Sequence, residues 1–467
     1  MPPEMPIPTD PGLTELTAIS PIDGRYRAKV EGLAPIVSEF GLIKTRVEVE
    51  ARYLVALSDA QVIRPLEDAE RARLMSFGTN LSYQDAQGIK KIEDTTRHDV
   101  KAMERAFRTM LEGTSLADLI EKVHIGLTSE DVNNISYRLL LLRATERVVV
   151  PQLDSVTGNL VGWADQHKAV PMLARTHGQA AVPTTLGKEM AVFASRLSGE
   201  VEDLRGRKLT GKFSGAVGNF NALALTYPEI DWVQFSRDFI SSFGLTPNMA
   251  TTQINTYEDI AAYFQNYQRI NNILIDFDQD MWRYISDHWF AQKPVEGEVG
   301  SSTMPQKVNP IDYENSEGNL GMANAVFEYL SRKLPISRLQ RDLSDSTAIR
   351  NLGAGLAYSL IGYKSTAEGM RRVAPDLETI SVALNEDWSI LAEGVQTLLR
   401  DAGVNDPYSL ISKLTRGNRI GKEEWQAWVD ELPIADEQKE IVRNLNPESY
   451  IGEAVRLTEE VVKRIKS

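Results

Sequence analysis

The chain has 467 residues, of which 42% are hydrophobic, and its 51 basic and 65 acidic residues give a formal net charge of -14. This acidic balance argues against nucleic acid or an anionic membrane as the main partner. The absence of cysteine excludes disulfides, thiolate metal sites and a cysteine nucleophile, and is compatible with a reducing compartment. The proline-rich start lacks the features of a signal peptide, and no apolar run is long enough to span a bilayer, so we expect a cytoplasmic protein.

Helical spacing of apolar residues is frequent and long, whereas strand-like alternation is scarce, so the predicted fold is all-α. Helices are predicted at about 37–59, 66–81, 90–111, 128–169, 186–209, 257–291, 311–334 and 346–373. Pro151 is expected to kink the fourth of them. The long helices indicate a bundle whose loops gather at its ends.

The composition changes after Pro375, where the predicted helices become short and charged. We therefore predict three domains: a helical N-terminal domain at 1–117, a central long-helix bundle at 118–373 and a small helical C-terminal domain at 374–467. No internal repeat is evident.

Histidine is the side chain best suited to proton transfer near neutrality, and the chain has five. His98, His124 and His177 lie in or next to polar loop motifs, whereas His167 and His288 lie near helix ends and are expected to be structural or exposed. The polar cluster at His98 is compatible with a site residue or with a helix cap. The histidine spacings do not predict a metal site, and the fingerprints of nucleoside-triphosphate and dinucleotide sites are absent, so neither a metal nor a cofactor is expected.

The stretch from Gly300 to Pro310 places two serines and Lys307 just before a predicted helix start. Asn309 is expected to cap that helix and Pro310 to occupy its first position. A helix N-terminus beside a cation suits a transient anion. A phosphate-binding turn, or an ordinary loop with a good helix cap, is the alternative.

The pattern Gly300-Ser301-Ser302-x-Met304-Pro305-x-Lys307-x-Asn309-Pro310 resembles the signature of the fumarase/aspartase superfamily. Five further motifs look like those of the adenylosuccinate lyase family of the longer bacterial type: 20–26, 96–101, 128–134, 175–179 and 341–347. The resemblance extends from about Leu16 to the C-terminus. It implies an all-helical homotetramer with a helical core, in which three subunits contribute to each active site.

The resemblance also implies the chemistry, which is the β-elimination of fumarate from adenylosuccinate to give AMP and from succinylaminoimidazole carboxamide ribotide (SAICAR) to give AICAR. Ser301 would be the general base and His177 the general acid, with Lys307 and backbone amides stabilising the serine oxyanion. His98 would position the substrate. Arg97 stands where relatives often have asparagine, and it adds a positive charge beside His98.

The remaining implied contacts are with the substrate. The fumaryl carboxylates would be held by Thr128, Ser129, Gln253, Ser302, Lys307, Val308 and Asn309. The nucleotide phosphate would be held by Arg25, Tyr26, Arg341, Ser346 and Arg350, because a guanidinium fork matches phosphate oxygens. Arg97, Asp99, Asn315 and Thr347 complete the predicted substrate-binding set.

Two alternatives remain beside this interpretation. One is another lyase of the superfamily, such as argininosuccinate lyase or fumarase, against which the phosphate-type arginines weigh. The other is a non-enzymatic helical scaffold, against which the intact Ser301, His177 and Lys307 weigh. Gly297 and Gly300 are candidate hinges of a lid over the substrate.

Overall fold

The computed structural model describes residues 13–293, 297, 303–417 and 419–467, and these are predominantly helical, as predicted. The first half of the chain forms α1 (Arg27–Val30), α2 (Ala34–Val37), α3 (Glu39–Asp59), α4 (Asp68–Asn80), α5 (Tyr83–Thr96), α6 (Asp99–Leu111), α7 (Ser129–Ala144), α8 (Val150–Gln166), α9 (Leu186–Gly206), α10 (Asn221–Thr226) and α11 (Trp232–Ser241). The second half forms α12 (Glu258–Ser286), α13 (Ile311–Lys333), α14 (Ser344–Ile349), α15 (Leu352–Arg372), α16 (Leu377–Asn385), α17 (Ala392–Asp401), α18 (Pro407–Thr415), α19 (Lys422–Asp430), α20 (Asp436–Asn444) and α21 (Ala454–Lys466). No helix in these described stretches is long and apolar enough to cross a membrane.

Three of the predicted long helices are interrupted. The helix predicted at 346–373 is divided into α14 and α15 at Arg350 and Asn351. The helix predicted at 90–111 is divided into α5 and α6, because Arg97 adopts the left-handed conformation with φ of 50° and ends the first helix. The helix predicted at 128–169 contains a π-helical turn at Thr145–Val149, just before Pro151. A proline inside a helix removes one backbone bond and clashes with the preceding turn, so a wider turn accommodates it.

Short paired strands lie between the helices. β1 (Pro171–Thr176) and β2 (Gln179–Thr185) form an antiparallel hairpin, β3 (Thr210–Gly211) pairs in parallel with β4 (Thr246–Pro247), and β5 (Phe290–Gln292) pairs with antiparallel β6 (Val373–Pro375). The sequence predicted a loop at 175–179, and this was wrong for the residues on either side of the turn. Its prolines and small residues hid the alternation that identifies a strand.

The chain divides into two compact units, each built from three segments. Unit 1 comprises Met1–Gln152, Val201–Asn272 and Gly318–Lys364, and unit 2 comprises Leu153–Glu200, Ile273–Glu317 and Ser365–Ser467. The boundaries fall inside α8, α9, α12, α13 and α15. The division into three consecutive domains stays a prediction.

Unit 1 has an aromatic core. Tyr53 of α3 packs against Phe213, Phe235 and Phe239, with ring centroids 5.3, 6.2 and 5.8 Å apart. The hydroxyl of the fully buried Tyr53 donates to the Ile125 carbonyl at 2.8 Å. The cluster therefore supports the loop that leads into α7.

Unit 2 has a polar group at the centre of its helical core. The buried Asp278 of α12 accepts a hydrogen bond of 3.0 Å from Thr366 of α15, and Thr366 lies 2.8 Å from the hydroxyl of Ser316 in α13. Burial raises the pKa of Asp278 well above its usual range, because the interior disfavours the charged form. Burial therefore favours the protonated form of Asp278 relative to an exposed aspartate.

Candidate active site

The signature loop is described only in its second half. Gly300, Ser301 and Ser302 lie outside the described residues, as does the hinge predicted at Gly300, while Gly297 has a φ of 82°. Thr303 to Val308 are exposed, and a turn is closed by the Lys307 N–H donating to the Met304 carbonyl at 3.1 Å. No carboxylate in the described part of the chain forms an ion pair with Lys307, so its ammonium charge is open to an anion.

The end of this loop is fixed to its surroundings. Gln292 of β5 donates from Nε2 to the Val308 carbonyl at 2.8 Å. The Pro310 carbonyl accepts from the Glu314 N–H at 3.3 Å, and α13 begins at Ile311. Pro310 therefore lies one position before the first helical residue, which the sequence predicted it to be. Asn315 donates to the Ser365 hydroxyl at 2.8 Å.

His177 lies at the tip of the β1–β2 hairpin. Thr176 and Gln179 form the last pair of the ladder, which leaves His177 and Gly178 as a two-residue turn. Both have positive φ, 52° and 74°, as a type I′ turn requires. The histidine is exposed, on a rigid two-stranded support, so its imidazole is available to a ligand.

His98 caps α6. Its Nδ1 accepts a hydrogen bond from the Lys101 N–H at 3.2 Å, which requires that Nδ1 carry no proton. The neutral ring then presents Nε2–H as a donor. The helix-capping interpretation is confirmed, and it leaves the outer ring nitrogen available for the predicted substrate-positioning role.

Asp99, next to His98, accepts hydrogen bonds from two arginines. Arg46 Nη2 and Arg350 Nη2 each lie 2.8 Å from Asp99 Oδ2. Burial alone would raise the pKa of Asp99, but the two guanidinium groups outweigh it and hold the pKa well below its usual range. Two positive charges thus share this carboxylate, and Glu39, 3.2 Å from Arg350, is the only other acid that pairs with them within the described residues.

Arg341, Gln253 and the Thr128–Ser129 motif are brought together through Glu130. Arg341 Nη1 donates to Gln253 Oε1 at 3.2 Å, and Arg341 Nη2 lies 3.5 Å from Glu130 Oε2. The Tyr257 hydroxyl lies 3.4 Å from Glu130 and 3.3 Å from Asp345, the residue before Ser346. Burial is the largest effect on Glu130 and raises its pKa to about 7, although the positive charge of Arg341 offsets part of that rise. Glu130 lies within the motif at 128–134, but no role for it was predicted from the sequence.

The start of α7 is a capping box, as predicted from Thr128 and Asp131. The buried Asp131 also accepts from Lys212 Nζ at 2.7 Å and from the Ser214 N–H at 2.9 Å. This buried, fully bonded pair joins the Thr128 loop to 212–215. Gln253 donates to the Ala216 carbonyl at 2.9 Å and so joins the same framework.

His124 was grouped with the polar loops but not assigned a role by the sequence. Its Nδ1 lies 2.5 Å from Oε1 of the buried Glu50 of α3. Burial lowers the pKa of His124, but the Glu50 carboxylate outweighs that effect and the pKa is raised overall. His124 is therefore an oriented, partly buried histidine four residues before Thr128.

The N-terminal motif lies beside Arg350. A cavity of about 310 Å3 is lined by Ser20, Asp23, Arg27 and Arg350, among others. Arg25 is exposed and Tyr26 half-buried immediately before α1. Ser346 is half-buried and Thr347 exposed in α14, which Arg350 ends.

The predicted site residues therefore fall into two groups. Unit 1 carries Arg25, Tyr26, Arg97, His98, Asp99, Thr128, Ser129, Gln253, Arg341, Ser346, Thr347 and Arg350. Unit 2 carries His177, Lys307, Val308, Asn309 and Asn315. Within unit 1 the contacts link residues that are far apart in the chain, such as Arg350 and Asp99, which are 251 positions apart.

Comparison with known proteins decides the family. Residues 24–326 match the family described as Lyase, and residues 337–451 match the adenylosuccinate lyase C-terminal family. The chain is 45% identical over 453 residues to an adenylosuccinate lyase of Haemophilus influenzae, covering 96% of this chain and 99% of that protein. The chain belongs to the adenylosuccinate lyase family. It is 44% identical to the Escherichia coli adenylosuccinate lyase over 96% of this chain and 99% of that one.

Solved structures of lower sequence identity share the fold. A fumarate lyase from Mesorhizobium sp. BNC1 superposes with a TM-score of 0.76 at 17% identity, covering 93% of this chain and 97% of the other. The 3-carboxy-cis,cis-muconate lactonizing enzyme from Pseudomonas putida gives 0.74 at 18% identity, covering 95% and 99%. The adenylosuccinate lyase family membership makes this chain a lyase that releases fumarate, and the predicted main activity is confirmed.

Proposed function

We propose that the chain catalyses the elimination of fumarate from adenylosuccinate with Ser301 as the general base and His177 as the general acid. The base removes a proton from the carbon α to one succinyl carboxylate, and the acid protonates the departing nitrogen. Between these steps the intermediate is a carbanion whose charge spreads over that carboxylate. By the same chemistry SAICAR is a second substrate, giving AICAR and fumarate.

The observation that carries the base assignment is the environment of the loop end. A serine hydroxyl is too weakly acidic to act as a base unless its oxyanion is stabilised by nearby positive charge or amide donors. Lys307 is exposed and unpaired with any described carboxylate, and it precedes the N-terminus of α13, which favours negative charge. The Gln292 bond to the Val308 carbonyl fixes this end of the loop.

The acid assignment rests on the position of His177. The hairpin holds His177 at the tip of its turn, where the side chain is exposed. Its backbone has a positive φ, which few non-glycine residues adopt. Such strained residues recur at functional sites. His98 is committed to a helix cap through Nδ1, which favours a positioning role through Nε2 rather than proton delivery.

Arg341 and Arg350 are the main residues assigned to binding the nucleotide phosphate. Glu130, with its pKa near 7, is substantially protonated at neutral pH and so leaves much of the Arg341 charge uncompensated. Arg350 is paired with Asp99 and Glu39, but 41% of its side chain is exposed, so its guanidinium is accessible to a ligand. Both guanidinium groups can therefore bind a phosphate dianion, and Arg25, Tyr26 and Ser346 supply the remaining phosphate contacts.

We further propose that the chain acts as a homotetramer in the cytoplasm, with active sites shared between subunits. Large apolar side chains on the long helices support this association: Trp282 is 46% exposed, Met322 50% and Tyr329 53%. Exposed apolar surface along helices is typical of a subunit interface.

The test of the roles uses purified enzyme with adenylosuccinate and with SAICAR. Ser301→Ala and His177→Ala are expected to lower kcat by about 10²–10⁴ without loss of helical circular dichroism. Ser302→Ala, the matched control, is expected to raise KM more than it lowers kcat. Near-normal kcat in Ser301→Ala would refute the base assignment. Turnover of argininosuccinate or malate in place of adenylosuccinate would refute the substrate.

Subunit sharing is tested by mixing. Ser301→Ala and His177→Ala subunits, unfolded together and refolded, are expected to recover part of the activity if the two residues meet across an interface. Each variant carried alone through the same treatment is the control. Recovery no greater than in those controls would show that both residues come from one subunit.

A further inference from the structure

A second cavity lies in unit 1, away from the predicted site residues. It has a volume of about 550 Å3, within the range of small-molecule sites, and is lined by α3, α4 and the segment around α11. None of the residues assigned to catalysis or substrate binding lines it. Its walls are predominantly apolar, with Val55, Ala56, Met75, Phe235 and Phe239 among them.

Two phenylalanines lie in the wall, and 9% of Phe235 and 4% of Phe239 remain exposed there. Their rings are nearly parallel, with an interplanar angle of 22° and centroids 6.0 Å apart. Both rings also contact Tyr53 in the buried aromatic cluster, so they are held from behind. A rigid aromatic wall suits a planar or branched apolar body, and aromatic faces attract cations.

The polar lining is acidic. Asp59, Asp231 and Asp238 face one basic residue, Arg52. Arg52 is already engaged, because its guanidinium lies 3.8 Å above the Phe243 ring, its Nη2 donates to Ser242, and Glu48 is 3.7 Å away. Asp59 is neutralised by Arg71 at 2.6 Å.

Two carboxylates therefore remain for a ligand. Asp231 uses Oδ1 to cap α11 by accepting from the Val233 and Gln234 N–H groups. Asp238 accepts a hydrogen bond from Gln234 Nε2 at 2.9 Å and forms no ion pair with the described residues. An apolar chamber with uncompensated negative charge at its edge complements a cation that carries an apolar body.

We propose that this cavity binds a small organic cation, namely a primary amine or amidine attached to a phenyl-sized apolar group. The body packs against Phe235 and Phe239 and the cationic head lies near Asp238 and Asp231. The site is independent of the catalytic roles proposed above.

The test uses three probes with similar bodies and different head charges: 2-phenylethylammonium, 2-phenylethanol and 3-phenylpropionate. Saturation-transfer NMR on the full-length enzyme is expected to show saturable binding of the cation, with the neutral and anionic probes several-fold weaker. Excess AMP is expected to leave the cation bound, because AMP occupies a different site. No saturable binding, equal binding of the three probes, or displacement by AMP would each overturn the proposal.

Two variants locate the site. Ala56→Trp, which fills the cavity, is expected to weaken cation binding at least tenfold. Asp238→Asn is expected to weaken it about two- to fivefold, as loss of an exposed ionic partner does. Asp401→Asn, an exposed acid outside the cavity, is the matched control and is expected to change nothing. Turnover of adenylosuccinate by each variant verifies folding, and unchanged binding in both cavity variants would refute this location.

Discussion

Glu130 Oε2 lies 3.5 Å from Arg341 Nη2, yet burial raises the pKa of this carboxyl to about 7 despite the neighbouring guanidinium. Desolvation outweighs the ion pair because Glu130 is fully enclosed and Asp345 contributes a second negative charge. The arginine predicted to bind phosphate is therefore paired with an acid that titrates near neutrality.

This pairing predicts a pH-dependent stability. Between the ordinary pKa of glutamate and about 7, the folded protein keeps a proton that the unfolded chain has released, so stability falls as pH rises through this window. Glu130→Gln removes that dependence. The Tm of the variant minus the Tm of the wild type is expected to increase by a few degrees between pH 5 and pH 8.

Because the wild type and the variant share all other titrating groups, the effects of those groups on Tm cancel when the two Tm values are subtracted. Gln87→Glu, an exposed change in the opposite sense, is the control and is expected to give a Tm difference that does not vary over this range. A Glu130→Gln difference that is constant from pH 5 to pH 8 would show that Glu130 is ionised throughout.

The turn conformation at His177 predicts that a substitution there can lower activity without lowering stability. Asparagine followed by glycine is the preferred pair in a type I′ turn, so His177→Asn is expected to preserve or slightly raise stability while lowering kcat by about 10²–10⁴. Chemical denaturation and steady-state kinetics measure the two effects. Gly178→Ala is the contrasting variant, since its φ of 74° makes a side chain cost about 1–2 kcal/mol. Retained activity in His177→Asn would exclude His177 as the acid.

The helix cap predicts two different outcomes at His98. His98→Ala loses the bond to the Lys101 N–H and is expected to cost about 1 kcal/mol of stability, whereas His98→Asn retains a capping side chain and is expected to cost a few tenths at most. If His98 also positions the substrate through Nε2, both variants raise KM by similar factors. Normal kinetics in His98→Asn would limit His98 to the structural role.

The raised pKa of Asp278 predicts tolerance of an isosteric amide at this position. Asp278→Asn supplies one acceptor and one donor group in the same volume, as a protonated carboxyl does, so the free energy of unfolding is expected to change by less than about 0.5 kcal/mol at neutral pH. Asp278→Ala leaves the Thr366 hydroxyl without this partner and opens a cavity, at a cost of about 2–4 kcal/mol. Equal costs in urea denaturation would indicate that the native carboxyl is ionised.

The sequence by itself determined the helical class, most of the long helices and the capping box at Thr128, because periodicity and caps are local signals. It also identified the family, because the motif from Gly300 to Pro310 combines many residues at fixed spacing. The break at Arg97 and the hairpin around His177 were not predicted, since both depend on positive φ at non-glycine residues, which surrounding contacts must hold in place.

Only the tertiary structure decided which charges face one another. Asp99 lies 53 residues from Arg46 and 251 from Arg350, and no local pattern predicts that one carboxylate serves both. Glu130 is an ordinary first-turn acid in the sequence, and its altered pKa follows from burial beside Asp345 and Tyr257. The sequence thus names the reactive residue types, whereas folding sets their charge states through desolvation and through partners distant in the chain.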